Sequence, residues 1–373
     1  MIHFLELPDE IILRCLTILS VEDLLLFDSS ITSHAIRPSW ISMKLRALRI
    51  LKINFSVSTI NMNTMCTNVT QLRDGRIIIC CEEGPVHVWN PATKVFDIIF
   101  GEQNGKVFCA LELRDQRIAT CSFHNTVKIW SLPAKCCECV LKGKSEYAIS
   151  PIELGDGRLV TCPENSTITI WDVTTGTRDK ILPGEYWEVI NSMILLEDGR
   201  LGSCDENGQI KIWNVNTGVC ELLFNDHRGP VWSIVELEDG RIACGTDDEI
   251  VKIWNLQTRM CERELCKCHD YSVSEVLKLS SIRLVANLVD TTTRIWNIET
   301  QVCEWEFGGV YSMIVLRDGR LVTSNENIQV LNVETRQCEW TLVGHSNIAN
   351  VIELQDGRLC SWSEDGIVKI WEV

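Results

Sequence analysis

The chain has 373 residues, enough for one large core or several domains, and its 45% apolar content is that of a globular protein. Its 51 acidic and 35 basic residues leave a net charge of −16, which disfavours a nucleic-acid binder with its basic footprint and suits a soluble protein with a basic partner. No apolar run approaches the roughly 20 residues that span a bilayer. Met1–Glu10 lacks the basic start and apolar stretch of a secretion signal, so the expected setting is intracellular, cytoplasmic or nuclear.

Residues 1–46 have no copy elsewhere in the chain. Leu7-Pro8-Asp9-Glu10 reads as a helix start, since Pro presets φ in a first turn and the two acids complement the helix dipole. Ile12, Cys15, Leu16 and Leu19 then form an amphipathic stripe. Ser20-Val21-Glu22-Asp23 reads as a capping box that opens a second helix. A third helical stretch is expected around Ile41–Leu48. So many leucines cannot all be buried within so short a segment; they cover the remainder of the chain or face a partner.

The order and spacing of Leu7-Pro8, Glu10, Ile11-Ile12, Cys15-Leu16, Leu19 and Asp23-Leu24 resemble an F-box. That family docks on the adaptor Skp1 of a cullin–RING ubiquitin ligase. The resemblance implies a Skp1-docking surface at Leu7, Pro8, Ile11, Leu16, Leu19 and Leu24. The third helix departs from the family: Asp28–Trp40, with Arg37-Pro38 inside it, replaces the usual Val…Trp pattern. The alternative reading is a helical cap on the repeats that follow.

From there on one unit recurs. A turn Arg stands at Arg76, Arg117, Arg158, Arg200, Arg241, Arg283, Arg320 and Arg358, usually after Asp-Gly, which favours a tight turn. A strand Trp stands at Trp89, Trp130, Trp171, Trp213, Trp254, Trp296 and Trp371, with Leu331 in the remaining copy. The residue before each is Ile or Val and the one before that is polar, the alternation of a half-buried strand. Each period of about 40 residues holds four short strands, the content of one propeller blade.

The repeat resembles WD40 over residues 47–373, which implies an all-β, eight-bladed β-propeller beside a small α-helical F-box-like domain at 1–46. The Trp-Asp pair is literal at Trp171-Asp172 and the Gly-His pair at Gly344-His345. WD40 blades are held by a His–Ser/Thr–Asp–Trp network. The resemblance carries that network to His345, Ser363, Asp365 and Trp371 in the last copy, and to His227, Thr246, Asp248 and Trp254 in the fifth. The last copy ends after its third strand, so residues 48–55 are expected to supply its outer strand and close the ring without an exposed edge.

Cysteine keeps phase with the repeat. Cys80, Cys121, Cys162 and Cys204 follow the turn Arg by four residues; Cys137, Cys220, Cys261, Cys303 and Cys338 follow the strand Trp, or Leu331, by seven. Repeated use as a small apolar side chain explains this better than a disulfide framework. Cys266-Lys267-Cys268-His269 lacks a second ligand pair, so no metal is expected, and no cofactor or catalytic motif occurs. The chain is not expected to be an enzyme.

One rim of such a ring carries the loops between successive blades and those between second and third strands. Phase places Lys144, Tyr147, Trp187, Arg228 and Tyr271 there as candidate substrate contacts, among acids such as Asp205, Asp247, Asp290 and Glu364. The expected function is substrate recognition for an SCF-type ligase (Skp1, cullin, F-box). Skp1 is the expected partner at the head, and through it the cullin–RING ligase. A basic or mixed-charge protein segment is expected at the rim, with no nucleic acid and no membrane. The alternative is a WD40 scaffold unconnected with ubiquitin.

Overall fold

The computed structural model describes residues 53–54, 56–100, 106–122, 126–142, 148–163, 167–184, 189–265, 271–308, 310–325 and 327–372. The helical head lies outside these residues, and with it Leu7, Pro8, Ile11, Leu16, Leu19 and Leu24. The chain divides into two compact units, residues 1–55 and 56–373. Of the first, only the two-residue strand Ile53–Asn54 is described.

The second unit is an eight-bladed β-propeller. Seven blades hold four consecutive antiparallel strands, and the eighth is built from the last three strands and Ser56–Asn61. Blade 4 shows the pattern, with Ile190–Leu195, Leu201–Asp205, Ile210–Asn214 and Val219–Phe224 in order. Its second strand is buried at every position because blades cover both of its faces. Its outer strand alternates between buried and open positions, since one edge meets solvent. First strands of neighbouring blades lie against one another, as Ile190–Leu195 does against Val231–Glu236, and so form the inner ring. Cores sit between blades: Ile210 and Ile212 of blade 4 pack with Ile234, Cys244 and Trp254 of blade 5.

The Asp-Gly-Arg turns have a clear local cause. In six blades the Arg side chain folds back on the Asp two residues before it, as Arg76 Nε does on Asp74 at 2.8 Å and Arg158 Nε on Asp156 at 2.9 Å. The guanidinium in turn reaches the next blade, where Arg158 meets the carbonyl of Val215 and the amide oxygen of Asn216 at 2.6 Å. Blade 6 lacks the Asp, and Arg283 pairs with Glu304 and Glu334 instead.

The ring is closed by Ser56–Asn61, not by residues 48–55. Ser56 faces Trp371, Thr59 faces Lys369 and Asn61 faces Ile367. The reason is chain length. Four residues, 62–65, join Asn61 to the inner strand of blade 1 at Cys66, whereas a strand ending at Phe55 would leave ten unpaired over an open edge. Gly366 permits the approach: its φ is +74°, and a Cβ there would meet the Thr64 carbonyl at 2.7 Å.

Among the described residues the one helical element is a 3-10 turn, Glu238–Gly240, and no helix is long and apolar enough to cross a membrane.

Candidate interaction surface

In each antiparallel blade the loops after the second and fourth strands share one end of the ring, here called the mouth. The blade networks lie just beneath it. In blade 8, His345 Nε2 meets Ser361 Oγ at 2.7 Å, and the Trp371 indole N–H donates to the same oxygen at 2.8 Å. The Ser361 hydroxyl therefore donates to His345 Nε2, which leaves Nδ1–H to donate to Asp365 at 3.1 Å. Burial pushes the His345 imidazole down in pKa, so it stays neutral, although Asp365 opposes the shift. Burial pushes Asp365 up, but the Ser346 and Ile367 backbone N–H groups and His345 outweigh it and hold the carboxyl below its ordinary value.

The hydroxyl in this network is Ser361, where the family pattern carried over at the sequence level named Ser363. Ser361 stands opposite Lys369, ten residues before Trp371. Ser363 lies two residues nearer the mouth and accepts from the Asp365 N–H within the turn. The same ten-residue offset recurs where Trp130 donates to Thr120, Trp171 to Thr161 and Trp213 to Ser203, each at 2.8–2.9 Å. That offset is legible in the sequence and was the missing signal.

Blade 5 departs from this arrangement. The residue ten before Trp254 is Cys244, whose sulfur lies 3.8 Å from His227 Nε2. The Trp254 N–H and His227 Nδ1 are buried without a hydrogen-bond partner. Thr246 donates to Asp248 and to the Ile250 carbonyl rather than to His227. Burial, helped by the Lys252 charge, lowers His227 to about 4. On the inner strand of blade 6, burial raises Glu275 to about 7.

Above these networks, blades 5 to 7 expose a run of large side chains at the mouth. Trp232 is 37% exposed, Tyr271 45%, Val289 62% and Tyr311 56%. Asp247 joins them across the blade boundary: it accepts from Trp232 Nε1 at 3.3 Å and from Ser272 Oγ at 2.6 Å. The Ser272 backbone carbonyl accepts the Val289 N–H at 3.0 Å. Asp226, Asp248, Glu249 and Asp290 lie in the same mouth loops as the run, against Arg228 as the exposed Lys or Arg among the described mouth-loop residues of blades 5 to 7. An apolar, aromatic surface edged by acids is suited to hold a cationic segment with apolar side chains.

Of the expected rim residues, Arg228 and Tyr271 are exposed at this mouth. Lys144, Tyr147 and Trp187 lie outside the described residues, as does Cys266-Lys267-Cys268-His269. Trp232, Val289 and Tyr311 were missed. Trp232 is second in its strand, after the buried Val231, so alternation alone turns it towards the open side. Of the phased cysteines, those after the turn Arg are buried; those after the Trp stand on outer strands, half-buried or, at Cys137, exposed. There the thiol donates to the carbonyl two residues on, as Cys220 does to Leu222 at 3.2 Å. Among the described residues no group of three His, Cys, Asp or Glu side chains is placed to hold a metal ion.

The WD40 family model, described as "WD domain, G-beta repeat", matches residues 218–255. That span is the outer strand of blade 4 and the first three strands of blade 5. None of the curated proteins compared with the chain matches it. Among solved structures, the crystal structure of the computationally designed Ika8 protein is similar, with a TM-score of 0.73 and 18% identity. The match covers 86% of this chain and 100% of that one. At that identity the likeness speaks for the fold alone. The chain thus contains a WD40 repeat within an eight-bladed β-propeller, an architecture suited to binding protein partners.

Proposed function

We propose that this protein is a substrate-recognition adaptor of an SCF-type ubiquitin ligase. In this reading residues 1–46 dock on Skp1 through Leu7, Pro8, Ile11, Leu16, Leu19 and Leu24, and the propeller holds the substrate. The protein makes no bond itself; other subunits transfer the ubiquitin. The observation that carries the substrate half is the aromatic run at Trp232, Tyr271 and Tyr311, tied to Asp247. Monomeric proteins rarely leave such side chains clustered in the open without a use. The acidic setting favours a basic or mixed-charge segment. The F-box resemblance of Leu7–Leu24 supports the Skp1 half.

The test is a pull-down of purified Skp1 by the full chain, set beside the Leu7→Ala/Pro8→Ala variant. The expected result is retention by the parent and loss in the variant. No retention by the parent would leave the second reading, a WD40 scaffold whose head caps the ring. The same mouth favours that reading equally, because its exposed aromatics serve any protein partner.

A further inference from the structure

Cys66 and Cys81 stand outside the two cysteine positions that the repeat explains. Cys66 opens the inner strand of blade 1 and Cys81 ends the second strand, and the two are direct cross-strand partners. They are 5% and 1% exposed. One step nearer the mouth, the Glu82 N–H donates to the Met65 carbonyl at 2.9 Å. Antiparallel ladders alternate, so Cys66 and Cys81 form the pair without backbone hydrogen bonds. In such pairs side chains stand closest, with Cα atoms about 4.5 Å apart. That spacing falls inside the roughly 4.4–6.8 Å a disulfide requires. Equivalent pairs in other blades are Val231 with Thr246 and Val273 with Leu288. Only blade 1, among the described blades, places two thiols there.

The two sulfurs already interact. Cross-strand register and burial hold the two thiols side by side, and their proximity favours the Cys81 thiolate, lowering its pKa, while it pushes Cys66 up. A nucleophile and a resolving thiol are thus side by side. The pair also sits at a mechanically special place. It shares a core cluster with Ile60 of the closing strand and with Cys360 and Val368 of blade 8, the seam at which the ring closes.

We propose that Cys66 and Cys81 are a reversible modification site, a dithiol that low-molecular-weight disulfides convert into an intrachain disulfide at the seam. When the seam opens locally, the Cys81 thiolate attacks one sulfur of glutathione disulfide. A Cys81–glutathione bond forms, the S–S bond of the reagent breaks, and one glutathione leaves as thiolate and takes up the proton that Cys81 lost. Cys66 gives up its proton and attacks the Cys81 sulfur, and the second glutathione leaves with that proton. The two protein thiols lose two electrons and two protons, and the oxidant becomes two glutathiones. Excess thiol reverses both steps. The proposal is independent of the Skp1 reading and of the mouth.

The test uses the reduced full chain, incubated with glutathione disulfide, then alkylated, unfolded, alkylated again and digested with trypsin. Cleavage at Arg73 and Arg76 separates Cys66 from Cys81, so the disulfide appears as two linked peptides. Fragmentation distinguishes Cys81 from Cys80, which points to the other face of its strand. The expected product links Cys66 to Cys81, and the oxidised chain melts a few degrees higher than the reduced one. Cys66→Ser and Cys66→Ala chains should show no such rise. Glutathione on the exposed Cys136 and Cys137 shows that the oxidant acted. Recovery of Cys66 and Cys81 as free thiols beside modified Cys136 and Cys137 would overturn the proposal. So would a disulfide found only between Cys109 and Cys121, the facing cysteines on the first two strands of blade 2. Mapping on the parent decides the matter even if the variants fail to fold.

Discussion

The backbone N–H of Gln355 donates to Oε1 of Gln71 at 2.7 Å, across 284 residues of sequence. The same contact joins sequence-adjacent blades: the Arg73 N–H meets Glu112, that of Arg114 meets Glu153, that of Glu197 meets Glu236 and that of Arg317 meets Glu353. In each case a turn N–H on the side away from the mouth is received by the side chain that ends the next inner strand. Blade 8 therefore meets blade 1 as any blade meets its neighbour, with Gln in place of Glu.

Gln71→Ala removes that acceptor and should cost about 1 kcal/mol of stability, the usual worth of one hydrogen bond to a turn N–H. Gln71→Glu restores the group used at the other boundaries and should unfold like the parent. Urea midpoints of the three chains check this. An unchanged midpoint for Gln71→Ala would show that this bond adds nothing to closure beyond the Ser56–Asn61 strand and the core that blades 1 and 8 share.

Ser361 serves Trp371 and His345 together. Ser361→Ala leaves the Trp371 N–H and the His345 Nε2 without a partner and should destabilise by about 1–3 kcal/mol. Blade 5 invites the reverse change. Cys244→Ser places an oxygen at the offset that serves Trp130, Trp171 and Trp213, within reach of the orphaned Trp254 N–H. It should stabilise by about 0.5–1.5 kcal/mol, read from denaturant midpoints. A loss of stability in Cys244→Ser would mean that sulfur packing outweighs the new bond.

Two buried groups should tilt the stability–pH curve in opposite directions. His227 falls from 6.5 to about 4 on folding. As pH drops, the unfolded chain takes up this proton first, so the contribution is complete above about 6.5 and is lost towards about 4. Glu275 rises from 4.5 to about 7, so its contribution is complete below about 4.5 and is lost as pH climbs through about 7. Each changes stability by at most ~1.4 kcal/mol per pH unit within its window. Glu275→Gln should therefore gain on the parent at about pH 8 and match it at about pH 4. His227→Gln should flatten the acid limb. Parallel curves for Glu275→Gln and parent would show that the carboxyl is solvated in the folded ring.

At the mouth, Trp232→Ala and Tyr311→Ala should each weaken capture of a protein partner by about 10-fold or more, the loss typical of aromatic anchors. Tyr311 is 56% exposed, so the melting temperature of Tyr311→Ala should stay close to the parent's, whereas Trp232→Ala, which loses a part-buried ring bonded to Asp247, should melt somewhat lower. Titration against a captured partner checks both. Equal affinities in all three chains would move the binding surface elsewhere on the ring.

Much of this protein is written in its sequence because the blade is a local object. Its turns, the alternation before each Trp and the Arg that folds onto its own Asp lie within one period, so eight copies spell out eight blades. The hydroxyl ten residues before Trp130, Trp171, Trp213 and Trp371 is equally local, a matter of strand register. What only the tertiary structure decided involves contacts between distant residues. Which stretch closes the ring depends on how few residues span from Asn61 to Cys66 while Ser56 meets Trp371. The run of Trp232, Tyr271 and Tyr311 exists because neighbouring blades bring separate loops to one end and Asp247 ties two of them together. The thiols of Cys66 and Cys81 face each other because an antiparallel ladder sets them opposite, a relation that fifteen intervening steps of sequence do not display.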